Sequence, residues 1–377
     1  MTGTVLVAGA SSYVGSSLVA RLLEDGDRVV GISRRPAVAQ MLLPEQSERF
    51  RIATVEEAMN LIDREPVSIV NLAFVKHVPT PQLIHRQNRR LIGSIESLAA
   101  RGCRRLIHVS TSAVFGLRFA GPPMPVRVGP GAAENPYAEQ KINAEHLVEK
   151  AAQRQGCELA IVRLGNVIGP GSPIWVAGLA QRVMEVKPVG YEGERGFSNT
   201  THVDNIADYL AHLIHRPAGT LPEFGTYHHL AELSGHRWPE LLDMIAKEVG
   251  HGWTTVARPP EPPRRRVPSL KQIVKAPYAH TPADRYIRTG LGLLPEWEVL
   301  DRLISRVREP PPPMLDTAGD RVGLEDVGLL EVLSSAHEFA SRTVEDWKPK
   351  IDFASASAGI ADWLRTSAYA LNAGSSD

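Results

Sequence analysis

The first 24 residues constrain the fold of this chain more than any other stretch. Residues 4–8 (TVLVA) are almost wholly apolar, as in a strand that is buried on both faces of a parallel sheet. A glycine-containing turn runs from Gly9 to Gly15, and a pattern of helical period follows over residues 16–24. This order predicts a strand–turn–helix unit of the kind that binds dinucleotides.

Each residue type in the turn fits that interpretation. Gly9 would allow the tight turn, Gly15 would allow the helix to pack closely on the strand, and the helix N-terminus would receive a pyrophosphate. Ser12 occupies the middle glycine position, where its small side chain is tolerated or its hydroxyl reaches phosphate. The alternative is an ordinary turn without a ligand. The cofactor-binding residues predicted here are Gly9, Ser11, Ser12, Tyr13, Val14 and Gly15.

The second strand, residues 28–33, ends in Ser33 and is followed by Arg34 and Arg35. Sites that prefer NAD place a carboxylate at this strand end, where it binds the ribose hydroxyls. A carboxylate would repel a 2′-phosphate, whereas an arginine can pair with it through two hydrogen bonds. The sequence therefore favours NADP(H) over NAD(H), the alternative being surface charge on a loop.

Further strands alternate with helices and predict a doubly wound α/β sheet. Residues 67–73 form the fourth strand, whose last residues Leu72 and Ala73 are expected near the cofactor. Residues 104–112 form the fifth, and its carboxyl end carries hydroxyl side chains at the edge where such sheets bind ligands. His108, inside this strand, is interpreted as a core side chain.

Tyr137 and Lys141 are the candidate proton-transfer pair. At positions i and i+4 of a predicted helix they share one face and can meet one substrate. A phenol is a poor acid or base at neutral pH, and a nearby ammonium favours its phenolate. Such a pair could exchange a proton with a carbonyl or carbinol oxygen.

Composition excludes several classes of protein. The chain has 377 residues, 43% of them hydrophobic and 22% charged, with zero formal net charge, so nothing attracts it generally to nucleic acid. Its two cysteines, Cys103 and Cys157, show no metal-ligand pattern and are expected to be buried free thiols; no metal site is predicted. No apolar run is long enough to span a membrane, and a strand begins almost at once, so we expect no signal peptide, no membrane contact and a cytoplasmic location.

Several motifs together resemble the extended short-chain dehydrogenase/reductase family, of the NAD-dependent epimerase/dehydratase type. They occur in the family's order over residues 1–258, and the closing segments 347–353 and 359–364 extend the similarity to residues 345–366. The motifs are Gly9-x5-Gly15, the run 110–116 (STSAVFG), Tyr137-x3-Lys141, the run 163–171 (RLGNVIGPG) and the run 201–207 (THVDNIA).

The resemblance implies residue roles. Tyr137 would be the catalytic acid/base, and Lys141 would hold the nicotinamide ribose and lower the pKa of the tyrosine. Thr111 would hydrogen-bond the reacting oxygen, with Ser112 as its neighbour to test. Leu164 would contact the cofactor, and the substrate residues would be Ser110, Ala113 and Asn166.

Two departures from the family pattern limit the reaction. The family's sugar 4,6-dehydratases carry an Asp-Glu pair after the catalytic threonine, whereas this chain has Ser112 and Ala113, so dehydration is not expected. Arg90 stands where the family usually has an asparagine.

The sequence thus predicts a Rossmann-type doubly wound parallel sheet with a smaller, mostly helical C-terminal substrate domain. The first domain would comprise residues 1–172 with a return segment 200–226. The second would comprise 173–199 and 227–377, including a helical segment 267–340 that matches no family motif. Within that segment, helices are expected over 270–274, 297–307 and 327–340.

The predicted function is NADP(H)-dependent reduction of a ketone, or oxidation of a carbinol, on a nucleotide-activated sugar or similar polyol. One alternative is a nucleotide-sugar epimerase that retains its cofactor through a full cycle. Another is a non-catalytic NADP-binding sensor, which would have no need for both Tyr137 and Lys141. A homodimer is expected by analogy with the family.

Overall fold

Short apolar strands alternate with helices along most of the chain. The computed structural model describes residues 3–62, 67–75, 81–116, 128–129, 136–221, 227–258 and 324–367. Its strands are β1 (Thr4–Ala8), β2 (Arg28–Ile32), β3 (Phe50–Ala53), β4 (Val67–Asn71), β5 (Cys103–Thr111), β6 (Glu158–Leu164), β7 (Asn166–Ile168), β8 (Pro188–Tyr191), β9 (Thr200–His202), β10 (Tyr227–Leu230) and β11 (Thr254–Val256). Its helices are α1 (Tyr13–Glu24), α2 (Pro36–Gln40), α3 (Val55–Leu61), α4 (Pro81–Ala99), α5 (Pro136–Gln155), α6 (Gly178–Met184), α7 (Val203–His215), α8 (Trp238–Val249), α9 (Leu324–Leu333) and α10 (Phe353–Thr366).

Seven of the described strands form one parallel sheet in the order β10-β6-β5-β4-β1-β2-β3. β1 pairs with β2 on one side and with β4 on the other, so the strand order reverses between β1 and β4. Ligands of open α/β sheets bind in the crevice outside the carboxyl ends of the strands at such a reversal. The predicted doubly wound parallel sheet is confirmed.

Helices cover both faces of this sheet. Successive strand residues point to opposite faces, so Val5 and Val7 of β1 pack in one hydrophobic core with α1 and α7. Leu6 and Ala8 pack on the other face with α4 and α5. After β9 the chain packs against the first helix again, since α7 contacts α1.

A second hydrophobic core lies beside the sheet, where α6, α8, α9 and α10 pack around Trp238, Leu333 and Ile360. The helix expected over residues 327–340 is shorter than predicted, since α9 ends at Leu333. Beyond it the backbone pairs elsewhere: the Phe197 amide donates to the Ser335 carbonyl over 2.8 Å. The helices expected over 270–274 and 297–307 lie outside the described residues.

The predicted start of the second domain at residue 227 is wrong for one strand. β10 (Tyr227–Leu230) pairs in parallel with β6 and is the edge strand of the main sheet. The two histidines of β10 point to different surroundings, as expected of neighbours on a strand. The His228 Nδ1 atom lies 2.7 Å from the Tyr209 hydroxyl, whereas the His229 ring packs edge-on against Phe115.

The two cysteines are free thiols, as predicted, but each is only partly buried. A register irregularity at the start of β5 helps bring Cys103 onto the same core as Cys157, which precedes β6. A hydrogen bond between the two side chains raises the pKa of Cys103, with burial adding to the effect, and lowers the pKa of Cys157. Residues distant in sequence therefore form a neighbouring thiol pair.

No helix in the described ranges combines the length and the apolar character needed to cross a membrane.

Candidate active site

The turn after β1 depends on two glycines. Gly9 has φ +83°, and a Cβ on it would lie 2.9 Å from the Ala73 amide nitrogen. A Cβ on Gly15 would lie 2.2 Å from the Gly9 carbonyl oxygen. Real Cβ atoms do not approach backbone so closely, so both positions require glycine. The steric roles predicted for Gly9 and Gly15 are confirmed, while their contact with a cofactor stays a prediction.

Ser12 caps the first turn of α1. Its side-chain oxygen accepts a hydrogen bond from the Gly15 amide over 3.1 Å. The amides of Ser11, Tyr13 and Val14 donate to no other described residue. The helix N-terminus therefore presents unused N–H groups, which is the arrangement that suits an anionic oxygen.

The end of β2 carries two exposed cations. Ser33 is tied into the sheet, because its amide donates to the Ala53 carbonyl over 2.9 Å and its side chain accepts from the Arg35 amide over 3.1 Å. The guanidinium groups of Arg34 and Arg35 are exposed and contact no acidic side chain among the described residues.

The end of β4 brings backbone close to the turn. The Leu72 amide donates to the Ala8 carbonyl over 2.9 Å, and the Ala73 amide donates to the Asn71 side chain over 3.2 Å. The Asn71 amide group in turn lies 3.0 Å from Nδ1 of His108. Burial, with the Lys141 charge adding to it, lowers the pKa of His108 to about 3, so this imidazole is neutral. His108 is a core side chain, as predicted.

Tyr137, Lys141 and Thr111 come together at the carboxyl end of β5. The side chains of Tyr137 and Thr111 are hydrogen-bonded to each other. The Lys141 ammonium, one turn along α5, donates to the Val109 carbonyl over 3.1 Å. Since Val109 and Thr111 lie on the same strand, one strand end and one helix face position all three groups.

The pKa of Tyr137 moves in the direction opposite to that predicted from Lys141. Although the residue is 38% exposed as a whole, burial raises its pKa to about 12, while the hydrogen bond to Thr111 lowers it. The Lys141 ammonium donates to the Val109 carbonyl, and burial is the largest influence on the Tyr137 pKa. The phenol therefore keeps its proton at neutral pH.

A cleft of about 400 Å³, counted with the solvent at its open mouth, lies beside Thr111. Of the predicted site residues, it is lined by Thr111, Ser112, Ala113, Leu164 and Asn166. The Ser112 side-chain oxygen is buried and has no hydrogen-bond partner among the described residues, so it is able to meet a polar group in the cleft. Ser110 is buried as well but does not line the cleft, and its substrate contact stays a prediction.

The opposite wall of the cleft was not predicted from the sequence. It is formed by Asn199, Val332, Ser335 and Phe339. Asn199 has φ +46°, accepts from the Phe339 amide over 2.7 Å and donates to the His337 carbonyl over 3.0 Å. An asparagine is among the few side chains that adopt this left-handed conformation readily, which is the only sequence signal for its role.

The model of the NAD dependent epimerase/dehydratase family matches residues 5–222, more than half of the chain. The chain belongs to this family. Members with assigned names are related to it at modest identity. A dTDP-6-deoxy-L-talose 4-dehydrogenase (NAD(P)(+)) of Kitasatospora kifunensis is 27% identical over 176 residues, covering 45% of this chain and 54% of that protein. A UDP-arabinose 4-epimerase 1 of Arabidopsis thaliana is 30% identical over 183 residues, covering 44% and 43%.

This epimerase/dehydratase family member spans about half the length of the curated relatives it matches. Among solved structures, the UDP-glucose 4-epimerase of Thermus thermophilus in complex with NAD aligns with a TM-score of 0.57 at 18% identity, over 97% of this chain and 99% of that one. The epimerase Mth375 of Methanothermobacter thermautotrophicus aligns with a TM-score of 0.60 at 18% identity, over 96% and 92%. At this identity the likeness shows the shared fold.

Proposed function

We propose that this protein is an NADP(H)-dependent oxidoreductase that reduces a ketone, or oxidises the corresponding carbinol, of a nucleotide-activated sugar or similar polyol. The observation that carries the proposal is the pairing of Tyr137 with Thr111 at the end of β5, with Lys141 one turn along α5. Of these three residues, Thr111 also lines the cleft. When bound, the cofactor supplies or accepts the hydride.

The residues at the carboxyl edge of the sheet fit a dinucleotide. Gly9 and Gly15 leave room where any Cβ would collide with backbone, and the first turn of α1 presents unused amides for a pyrophosphate. Leu72 and Ala73 lie beside Gly9 and would border the same groove.

The choice of NADP(H) rests on Arg34 and Arg35. Their guanidinium groups are exposed at the end of β2 and face no competing carboxylate among the described residues. Each can pair with a 2′-phosphate through charge-assisted hydrogen bonds. Solved structures of similar fold contain NAD, which makes this preference the sharpest point to test.

The side chains then account for proton transfer. Tyr137, whose pKa is raised to about 12, remains protonated at neutral pH and can donate to a developing alkoxide. Thr111 orients that hydroxyl, and Lys141 supplies the positive charge near it. Asn166, Ser112 and Ala113 would contact the substrate in the cleft. The protonated phenol is the form that donates the proton in the reduction.

An epimerase is the second candidate, because the curated relatives include a UDP-arabinose 4-epimerase at 30% identity. An epimerase would use the same Tyr137, Thr111 and Lys141, but it would hold its cofactor through both half-reactions. The amount of cofactor that copurifies with the protein separates the two candidates.

The test begins with mass spectrometry of the supernatant after denaturing freshly purified protein, followed by titrations with NADPH and NADH. We expect little retained cofactor and tighter binding of NADPH. An Arg34→Ala/Arg35→Ala variant should lose at least about ten-fold in NADPH affinity and change little toward NADH. Near one retained NAD per chain would favour the epimerase, and binding of neither cofactor would contradict both.

Turnover is then measured on a panel of UDP- and dTDP-sugars and their keto derivatives. Tyr137→Phe removes the proton but keeps the ring, so we expect activity to fall about 100-fold or more with cofactor affinity preserved. Thr111→Val should lower activity through loss of the hydrogen bond. Full activity of Tyr137→Phe would contradict the proposed mechanism.

A further inference from the structure

Phe74 touches both members of the candidate catalytic pair. It lies three residues beyond the end of β4 and is half-buried. Its ring centroid is 4.4 Å from the Lys141 ammonium nitrogen. Its centroid is also 5.5 Å from that of the Tyr137 ring, with the two planes at 90°. One side chain thus makes a cation–π contact and an edge-to-face contact at the same time.

The surroundings of Lys141 make this contact important. The residue is only 5% exposed, so its ammonium has lost most of its hydration. The Val109 carbonyl accepts a hydrogen bond from the ammonium. The nearby His108 imidazole is neutral and carries no charge. The negative face of an aromatic ring stabilises a desolvated cation in such a place.

The edge-to-face contact with Phe74 restrains the ring of Tyr137, the second member of the pair. Aromatic pairs prefer this perpendicular arrangement at this separation. Tyr137 is 38% exposed and lies in the first turn of α5. A ring at position 74 therefore limits the orientations from which the phenol meets Thr111.

We propose that Phe74 is a positioning residue that holds the Lys141 ammonium and the Tyr137 ring as one unit at the end of β5. The inference rests on the proposed function for its catalytic consequence, but the physical claim about Lys141 can be tested without any substrate. An aliphatic residue at position 74 would fill space but would lack the quadrupole that both contacts use.

The first experiment measures the reductive methylation of Lys141 in the intact protein by quantitative peptide mass spectrometry. Phe74→Leu should raise the methylation rate about five-fold or more, because the amine loses its aromatic cover, whereas Phe74→Tyr should match the wild type. Phe197→Leu is the matched control: Phe197 makes the same kind of contact with Arg237, at 4.1 Å, away from the pair. It should leave Lys141 unchanged.

The second experiment separates kcat from binding. Phe74→Leu should lower kcat about ten-fold, the size expected for a lost desolvated cation–π contact, and should weaken NADPH binding by a smaller factor, through the ribose contact assigned to Lys141. Phe74→Tyr should restore kcat. Thermal unfolding of each variant, measured alongside, excludes a general loss of fold.

Two results would overturn the inference. If Lys141 is methylated in Phe74→Leu at the wild-type rate, the ring does not hold the ammonium. If Phe74→Leu binds NADPH several-fold more tightly and turns over faster, the ring obstructs the cofactor and does not position the pair. If the wild type turns over no sugar tested, the proposed function fails while the methylation rates still decide the claim about Phe74.

Discussion

The two walls of the cleft are built in different ways. On the sheet side, important groups lie at or next to a strand end or a helix start, as Thr111 is the last residue of β5 and Ser12 directly precedes α1. On the C-terminal side, the wall consists of residues 332–339, which are held by Asn199 and Phe197 from a distant part of the chain.

The sheet side of the cleft is specified by residues that are close in sequence, and the C-terminal side by contacts between distant segments. The sheet side needs small spacings, such as the six residues from Gly9 to Gly15, which any reader of the sequence can recognise. The C-terminal side needs backbone hydrogen bonds between segments more than 130 residues apart, such as that from Phe339 to Asn199. We therefore expect the cofactor to depend on the first wall and the choice of substrate on the second.

The largest effect is expected at Gly15. A methyl group there would lie 2.2 Å from the Gly9 carbonyl oxygen and 2.7 Å from that of Ala10. Gly15→Ala must therefore shift backbone in the turn, and we expect a loss of about 3 kcal/mol or more in the free energy of unfolding and loss of NADPH binding. Urea denaturation and NADPH titration measure the two effects.

Gly93→Ala is the matched control for this change. Gly93 lies within α4, and a Cβ on it would meet nothing within 4 Å. Alanine is a better helix former than glycine, so this variant should be unchanged or more stable by up to about 1 kcal/mol. A Gly15→Ala variant as stable as Gly93→Ala would show that the turn is less constrained than its backbone contacts indicate.

A smaller effect is expected at Asn199, on the other wall. Asn199→Ala removes the hydrogen bonds to residues 337 and 339 and places alanine at φ +46°. We expect a loss of about 2–3 kcal/mol in the free energy of unfolding. Substrate affinity should fall about ten-fold, with NADPH affinity unchanged.

Asn199→Gly separates the loss of the side-chain hydrogen bonds from the strain of the left-handed backbone. Glycine accepts the left-handed conformation but makes none of the side-chain hydrogen bonds, so it should be about 1 kcal/mol more stable than Asn199→Ala. Substrate affinity should be equally poor in both variants. If NADPH affinity falls together with substrate affinity, the two walls are not independent and the division between them is wrong.

The sheet side of the cleft could be predicted from the sequence to a greater extent than the C-terminal side. The parallel sheet and the glycine turn follow from period and spacing, whereas the meeting of Thr111 with Tyr137 was implied by the family resemblance. The pKa of Tyr137 did not follow, because it depends on how deeply the side chain is buried in the folded chain. The edge position of β10 and the wall at 332–339 depend on pairings that leave no local pattern.

The smallest expected effect concerns two buried histidines, one on the sheet side and one joined to the C-terminal side. His108 lies inside β5 on the sheet side, whereas His229 joins β10 to the C-terminal segment through two backbone hydrogen bonds with Arg342. Burial is the main cause that lowers both pKa values to about 3, with Lys141 adding to it for His108 and Arg163 for His229. Both imidazoles are therefore neutral in the folded chain.

The sign of the pH dependence follows from these values. An unfolded histidine has a pKa of about 6.5, so between about pH 6.5 and pH 3 the unfolded chain binds more protons than the folded chain, and the free energy of unfolding falls as the pH falls. At about pH 5 each histidine should cost about 2 kcal/mol relative to about pH 7.5. In urea denaturation, the free energy of unfolding of His108→Gln and of His229→Gln should each fall by about 2 kcal/mol less than that of the wild type over this pH range. If only His108→Gln does so, while acid makes wild-type residues 334–344 sensitive to protease, then His229 is protonated by local opening of the C-terminal wall and not by global unfolding.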